Sequence, residues 1–133
     1  MYRFRTLVVA VALLVIVSLG CGDSSNTTGS GSSGSAFTVT VGSGTTPTYT
    51  WSAGDGFSVT VVRTSAATAP VWGIASPGSE LISSAVTHGT VPTVSGGLIT
   101  VTAVTETPLT AGTQYRVTIS RLNGDTGFIE FTP

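Results

Sequence analysis

The sequence predicts an all-β protein, a single sandwich of about seven to eight short strands over residues 36–133, behind an apolar N-terminal helix and a disordered linker. Three observations predict it. Thr, Ser, Gly and Val dominate the chain beyond the linker; Val and Thr favour strands, whereas Gly and Ser favour turns. Apolar and polar residues alternate with period two in repeated short runs, and no stretch sustains a helical period. Turn-forming clusters separate most of those runs: Gly42-Ser43-Gly44, Gly54-Asp55-Gly56, Pro77-Gly78, Gly96-Gly97 and Asn123-Gly124-Asp125.

The alternation places strands at Phe37–Val41, Pro47–Ser52, Phe57–Arg63, Pro70–Ser76, Ile82–Thr87, Leu98–Val104, Gln114–Arg121 and Gly127–Thr132. Phe57, Val59 and Val61 share one face, with Ser58 and Thr60 opposite. Tyr115, Val117 and Ile119 alternate with Arg116, Thr118 and Ser120. Ile129 and Phe131 flank Glu130, which leaves Phe128 on the polar face. Each fully buried side chain of this kind contributes ~1.5–3 kcal/mol. A domain of 98 residues can fold without staples.

Ahead of the domain, Arg3 and Arg5 precede the apolar run Leu7 to Leu19. A basic start and an apolar core of 13 residues have the proportions of a secretory signal. As a helix that core spans ~20 Å, short of the ~30 Å hydrocarbon slab. Ser18-Leu19-Gly20-Cys21 closes it. This tetrapeptide resembles a bacterial lipobox, where a lipoprotein signal peptidase cuts before the cysteine; the small Gly20 fits, and Ser18 stands where leucine is commonest. The resemblance implies a signal peptide over 1–20 and acyl chains on Cys21, and two or more such chains anchor stably. In well-studied Gram-negative lipoproteins an aspartate directly after the cysteine favours inner-membrane retention. Here Gly22 holds that place and Asp23 follows, which points to the outer membrane. Residues 21–35 then read as the lipidated cysteine and a flexible Ser/Gly tether, since the run from Gly22 to Ser35 has no large apolar residue to offset the entropy of ordering it.

Within the domain, Leu109-Thr110-Ala111-Gly112-Thr113-Gln114-Tyr115-Arg116-Val117 resembles the approach to the sixth strand of fibronectin type III and related immunoglobulin-like domains. That resemblance implies a tyrosine corner built on Leu109, Gly112 and Tyr115, in which the Tyr115 hydroxyl bonds to the backbone upstream. It also puts Trp51 in the core on the second strand and FSVTVVR on the third. The stretch from Pro70 to Gly97 fits the pattern poorly, so its strand order stays open.

Composition narrows the function. Only 8% of the chain is charged, against a usual ~25%, and there is no lysine. Beyond residue 20, three arginines (Arg63, Arg116, Arg121) face six carboxylates, a net charge of −3. Nucleic acid needs several basic contacts and is not an expected partner. A single cysteine excludes an internal disulfide and a cysteine-rich zinc site. No cofactor and no metal are expected: Asp55 and Asp125 read as turn residues, and calcium would need six to eight oxygens. His88, the only histidine, reads as a turn residue; a small hydrolase would need it beside an activated Ser or a carboxylate. No Gly-x-Ser-x-Gly elbow is present.

The expected function is therefore that of a non-enzymatic cell-envelope lipoprotein, bound to the membrane by its acyl anchor and presenting the sandwich to an envelope protein or polysaccharide. The alternative is a carbohydrate-binding accessory module with Trp72, beside Gly73, as its stacking surface.

Overall fold

The computed structural model describes residues 28–29, 37–52 and 54–133. The expected signal peptide, the lipobox with Cys21, and the tether apart from Thr28–Gly29 lie outside the described residues. Among the described residues nine strands are present: β1 (Thr28–Gly29), β2 (Val39–Val41), β3 (Thr48–Trp51), β4 (Ser58–Arg63), β5 (Pro70–Ala75), β6 (Val86–Thr87), β7 (Thr100–Val104), β8 (Tyr115–Ser120) and β9 (Thr126–Phe131). They form two antiparallel sheets, a β-sandwich. The larger sheet has the order β7-β5-β4-β8-β9. The smaller is β2-β3-β6, extended beside β2 by the two residues of β1.

The core follows from the alternation. Val59, Ile119 and Gly127 stand in one cross-strand row, Val61, Val117 and Ile129 in the next. The side chains of Val59, Val61, Val117, Ile119 and Ile129 are buried, as are Tyr49, Trp51, Val39 and Val41 from the facing sheet. Phe128 projects from the opposite face, where the Arg116 guanidinium lies 4.7 Å from its ring centroid. Arg116 is itself paired with Glu130 at 2.6 Å. An outward phenylalanine is thus covered by a cation held in place by a carboxylate.

Two features depart from the sequence reading. The strand expected over Ile82–Thr87 is reduced to Val86–Thr87. Ile82 makes only an isolated bridge to Gly56, and the Ser84 hydroxyl accepts from Trp51 N–H at 2.9 Å. Side-chain bonding of this kind competes with a ladder. Phe57 precedes β4 and is half-buried rather than sealed in the core, although its backbone still bonds to Ser120 and Ser76 on either side. The strands between Pro70 and Gly97, whose order the sequence left open, are placed by the pairing. β5 lies beside β4 in the large sheet, and the chain then crosses to put β6 on the edge of the small one.

Gly127 faces inward on β9, and a Cβ there would sit 2.5 Å from the Phe37 ring and 3.0 Å from Val39. Gly127→Ala is expected to lower stability by about 1–3 kcal/mol through overpacking, read as a reduced denaturation midpoint at unchanged m-value.

Candidate functional site

Beyond the core, the densest chemistry in the described chain is a hydrogen-bonded network at one end of the sandwich, centred on Glu106. Oε1 of Glu106 accepts from Arg63 Nε at 2.5 Å. Oε2 accepts from the Tyr115 hydroxyl at 2.6 Å. The Glu106 carbonyl faces His88 Nε2 at 2.8 Å, and His88 Nδ1 faces the Tyr49 hydroxyl at 2.9 Å. A carbonyl only accepts, so Nε2 carries the imidazole proton and Nδ1 accepts from Tyr49. The network therefore joins β3 of the small sheet to β4 and β8 of the large one.

Each member is placed by a local rule. Arg63 and Tyr115 are cross-strand partners on β4 and β8. Tyr115 is fully buried, and its hydroxyl also accepts from Thr110 N–H at 3.1 Å. Leu109, one residue upstream, is buried and its N–H donates to the Thr45 carbonyl at 2.9 Å. Gly112 takes φ +76°, a left-handed conformation that glycine adopts without strain, and donates to the Pro133 carbonyl. The Tyr115 hydroxyl thus bonds back to the backbone upstream, across the loop that carries Gly112.

The electrostatics follow from these contacts. The bond from Arg63, reinforced by Tyr115, holds the Glu106 carboxyl below its ordinary range. The same pairing holds Arg63 further above its usual value. Burial pushes the Tyr49 phenol well up. Burial pushes the His88 imidazole down, against an opposing pull from Glu106.

The other sequence candidates fall elsewhere. Trp72 is corrected: its ring is 1% exposed, packed against Tyr49 and His88 with centroids 6.3 Å and 5.0 Å away, so it offers no face to a sugar. His88 begins a turn, as expected, but its side chain turns into the core and is 2% exposed. Asp125 shapes the β8–β9 turn: its N–H donates to Asn123 Oδ1, and its carboxylate accepts from Asn123 Nδ2. Among the described residues no three His, Cys, Asp or Glu side chains converge as metal ligands. Cys21 and the lipobox residues Ser18, Leu19 and Gly20 lie outside the described residues. Among those described, no helix is long and apolar enough to cross a membrane.

Two surface features were not singled out by the sequence. A shallow hollow of about 270 Å³ on the small sheet is lined by Thr38, Thr40, Thr50, Trp51 and Ser52, all uncharged. On the large sheet, β7 overhangs its partner. Val101 stands opposite Ile74 and Val104 opposite Trp72, so both project from the core-side face. Yet Val101 is 48% and Val104 58% exposed, and nearby Leu98 is 69% exposed. Strict alternation would put positions 101 and 104 on opposite faces; the register shift in the β5–β7 pairing brings both valines to one. Comparison of the chain with family models, curated proteins and solved structures finds no match.

Two outcomes follow for the network. Tyr115→Phe leaves Thr110 N–H and a Glu106 oxygen short of a partner and is expected to cost about 1–3 kcal/mol in chemical denaturation. Because the folded Glu106 pKa lies below its ordinary 4.5, the carboxylate stabilises the fold above that pH, and this contribution is lost as pH falls through the lowered value. Glu106→Gln should flatten the stability profile in that acid window, measured by denaturation midpoints from pH 5 downwards.

Proposed function

We propose that the protein is a lipid-anchored, non-catalytic β-sandwich of the cell envelope that binds an extended, uncharged segment of a partner protein along β7. The observation that carries this reading is the apolar shelf of Leu98, Val101 and Val104 beside the outermost strand of the large sheet. An outermost strand offers backbone groups for strand addition, and the shelf supplies apolar contact for alternate side chains. No residue of Thr100–Val104 is charged, which suits a neutral partner. The strand order supports the immunoglobulin-like reading: β4, β8 and β9 are adjacent in one sheet and β2, β3 and β6 in the other, as the C-F-G and A-B-E sets of such domains are. The anchor rests on the lipobox resemblance at Cys21.

A neutral polysaccharide is the second reading. The hydroxyl-lined hollow favours it, with Trp51, which is buried but lines the hollow, as the reporter.

The anchor is tested by intact mass of the membrane-extracted protein. A chain beginning at residue 21 with added acyl mass is expected, and a Cys21→Ser variant should lose it; a full-length unmodified chain would refute the anchor. The β7 site is tested by a photo-reactive side chain replacing Thr102 in envelope-expressed protein. Capture of a discrete partner is expected, reduced at least about tenfold by Val101→Lys with Val104→Lys, the effect of ~1.4 kcal/mol of lost contact. Equal capture from position 50 on the small sheet, or no loss in the double variant, would sink the β7 assignment.

A further inference from the structure

We propose that the segment from Ile82 to Ile99 is an acid-responsive strap over the edge of the small sheet, latched by His88. The segment buries Ile82, Val86 and Ile99 in the core, but its hydrogen bonds to the rest of the sandwich are few. Ile82 exchanges two hydrogen bonds with Gly56 at 2.8 and 3.0 Å. Ser84 accepts from Trp51 N–H, and Val86 and Thr87 pair with Tyr49 and Thr48 over only two residues. His88 N–H donates to the Pro47 carbonyl at 2.9 Å. From Gly89 to Ile99 the chain has no regular strand. Its His88 ring packs on the buried rings of Tyr49 and Trp72. Sparse bonding of this kind marks a region that opens before the global fold does.

His88 is the side chain that closes the strap. Its two ring nitrogens bond across the sandwich, one to Tyr49 on β3 and the other to the Glu106 carbonyl after β7. The bond in which Tyr49 donates requires a neutral Nδ1, whereas the Nε2–H bond to the Glu106 carbonyl persists in either charge state. A second proton on Nδ1 removes the acceptor that the Tyr49 hydroxyl uses, and it places a cation among the rings of Tyr49 and Trp72. The ionisable groups around the ring are the Tyr49 hydroxyl on β3 and the Glu106 carboxylate after β7. Behind Glu106 stand Tyr115 on β8 and Arg63 on β4, which already engage its two oxygens. The carboxylate is therefore committed elsewhere and does not bond the ring.

The direction of the pH response follows. Burial holds the closed-state imidazole below its ordinary 6.5. Above that pH the closed and opened forms bind the same protons. Below it the opened form takes up a proton first, so opening becomes easier until the closed form protonates too. The equilibrium shifts by up to about tenfold for each pH unit in that window. Opening would bare the free edge of β3, a second strand-binding edge available only in acid.

Hydrogen exchange of the full chain in detergent, corrected for intrinsic rates, tests this between pH 7.5 and 5.5. Peptides covering 82–99 should open several-fold more at the lower pH, with β4 and β8 unchanged, and His88→Gln should remove the dependence. Because His88 is the only histidine, its imidazole resonances can also be titrated in the unaltered chain, whether or not the variant folds. A midpoint below 6.5 with the proton on Nε2 is expected. Exchange that does not change with pH, a change spread equally over β4 and β8, or an imidazole midpoint at or above 6.5 would overturn the proposal.

Discussion

A carboxylate with 16% of its side-chain surface exposed, Glu106, carries three connections at once, and the end of the sandwich is organised around them. One oxygen holds Arg63, the other holds Tyr115, and the residue's own carbonyl holds His88. Two β-sheets packed face to face are joined mainly by non-directional apolar contact, which sets their spacing but only loosely their registration. A chain of directional bonds from Tyr49 on one sheet to Arg63 and Tyr115 on the other adds that registration. The cost of burying these polar groups is met because each finds a partner. A network of this kind is secure only while every member stays in the protonation state its bonds require.

The network also explains the aromatic cluster around it. Tyr49, Trp72, His88, Tyr115 and Phe131 pack in tilted and edge-on pairs with centroids 5.0 to 6.3 Å apart. Tyr and His are used there because each brings a ring for packing and a polar tip for the bonds. The same rings keep water from the Tyr49–His88 bond, which ties packing to the titration behaviour of the site. On the reading proposed, the anchored N-terminus holds the domain and the uncovered shelf on β7, which runs into Glu106, meets the partner.

Much of the architecture was legible in the sequence. Period-two alternation located β4, β8 and β9 almost to the residue, because each buries one face against the small sheet. The motif from Leu109 to Tyr115 was legible because a left-handed glycine and a buried hydroxyl demand particular residues at fixed spacing. Other features were not legible, for physical reasons. Glu106 and Arg63 are 43 positions apart, and nothing local couples them. His88 looks like any turn histidine until β6 turns it inward. Trp72 beside Gly73 suggested an open ring, but the open space over Gly73 is taken by Thr102, on the face opposite the indole. The exposure of Val101 and Val104 depends on where the opposing sheet ends, which alternation does not encode.

The most direct test of this account is a double-mutant cycle between Tyr49→Phe on β3 and Tyr115→Phe on β8, measured by chemical denaturation at neutral pH. The two hydroxyls sit on opposite sheets and communicate through His88 and Glu106. The account predicts that their effects fail to add by at least ~0.5 kcal/mol, as members of one hydrogen-bonded network do. Strict additivity would contradict it, leaving two unrelated buried tyrosines and a sandwich registered by its apolar core alone.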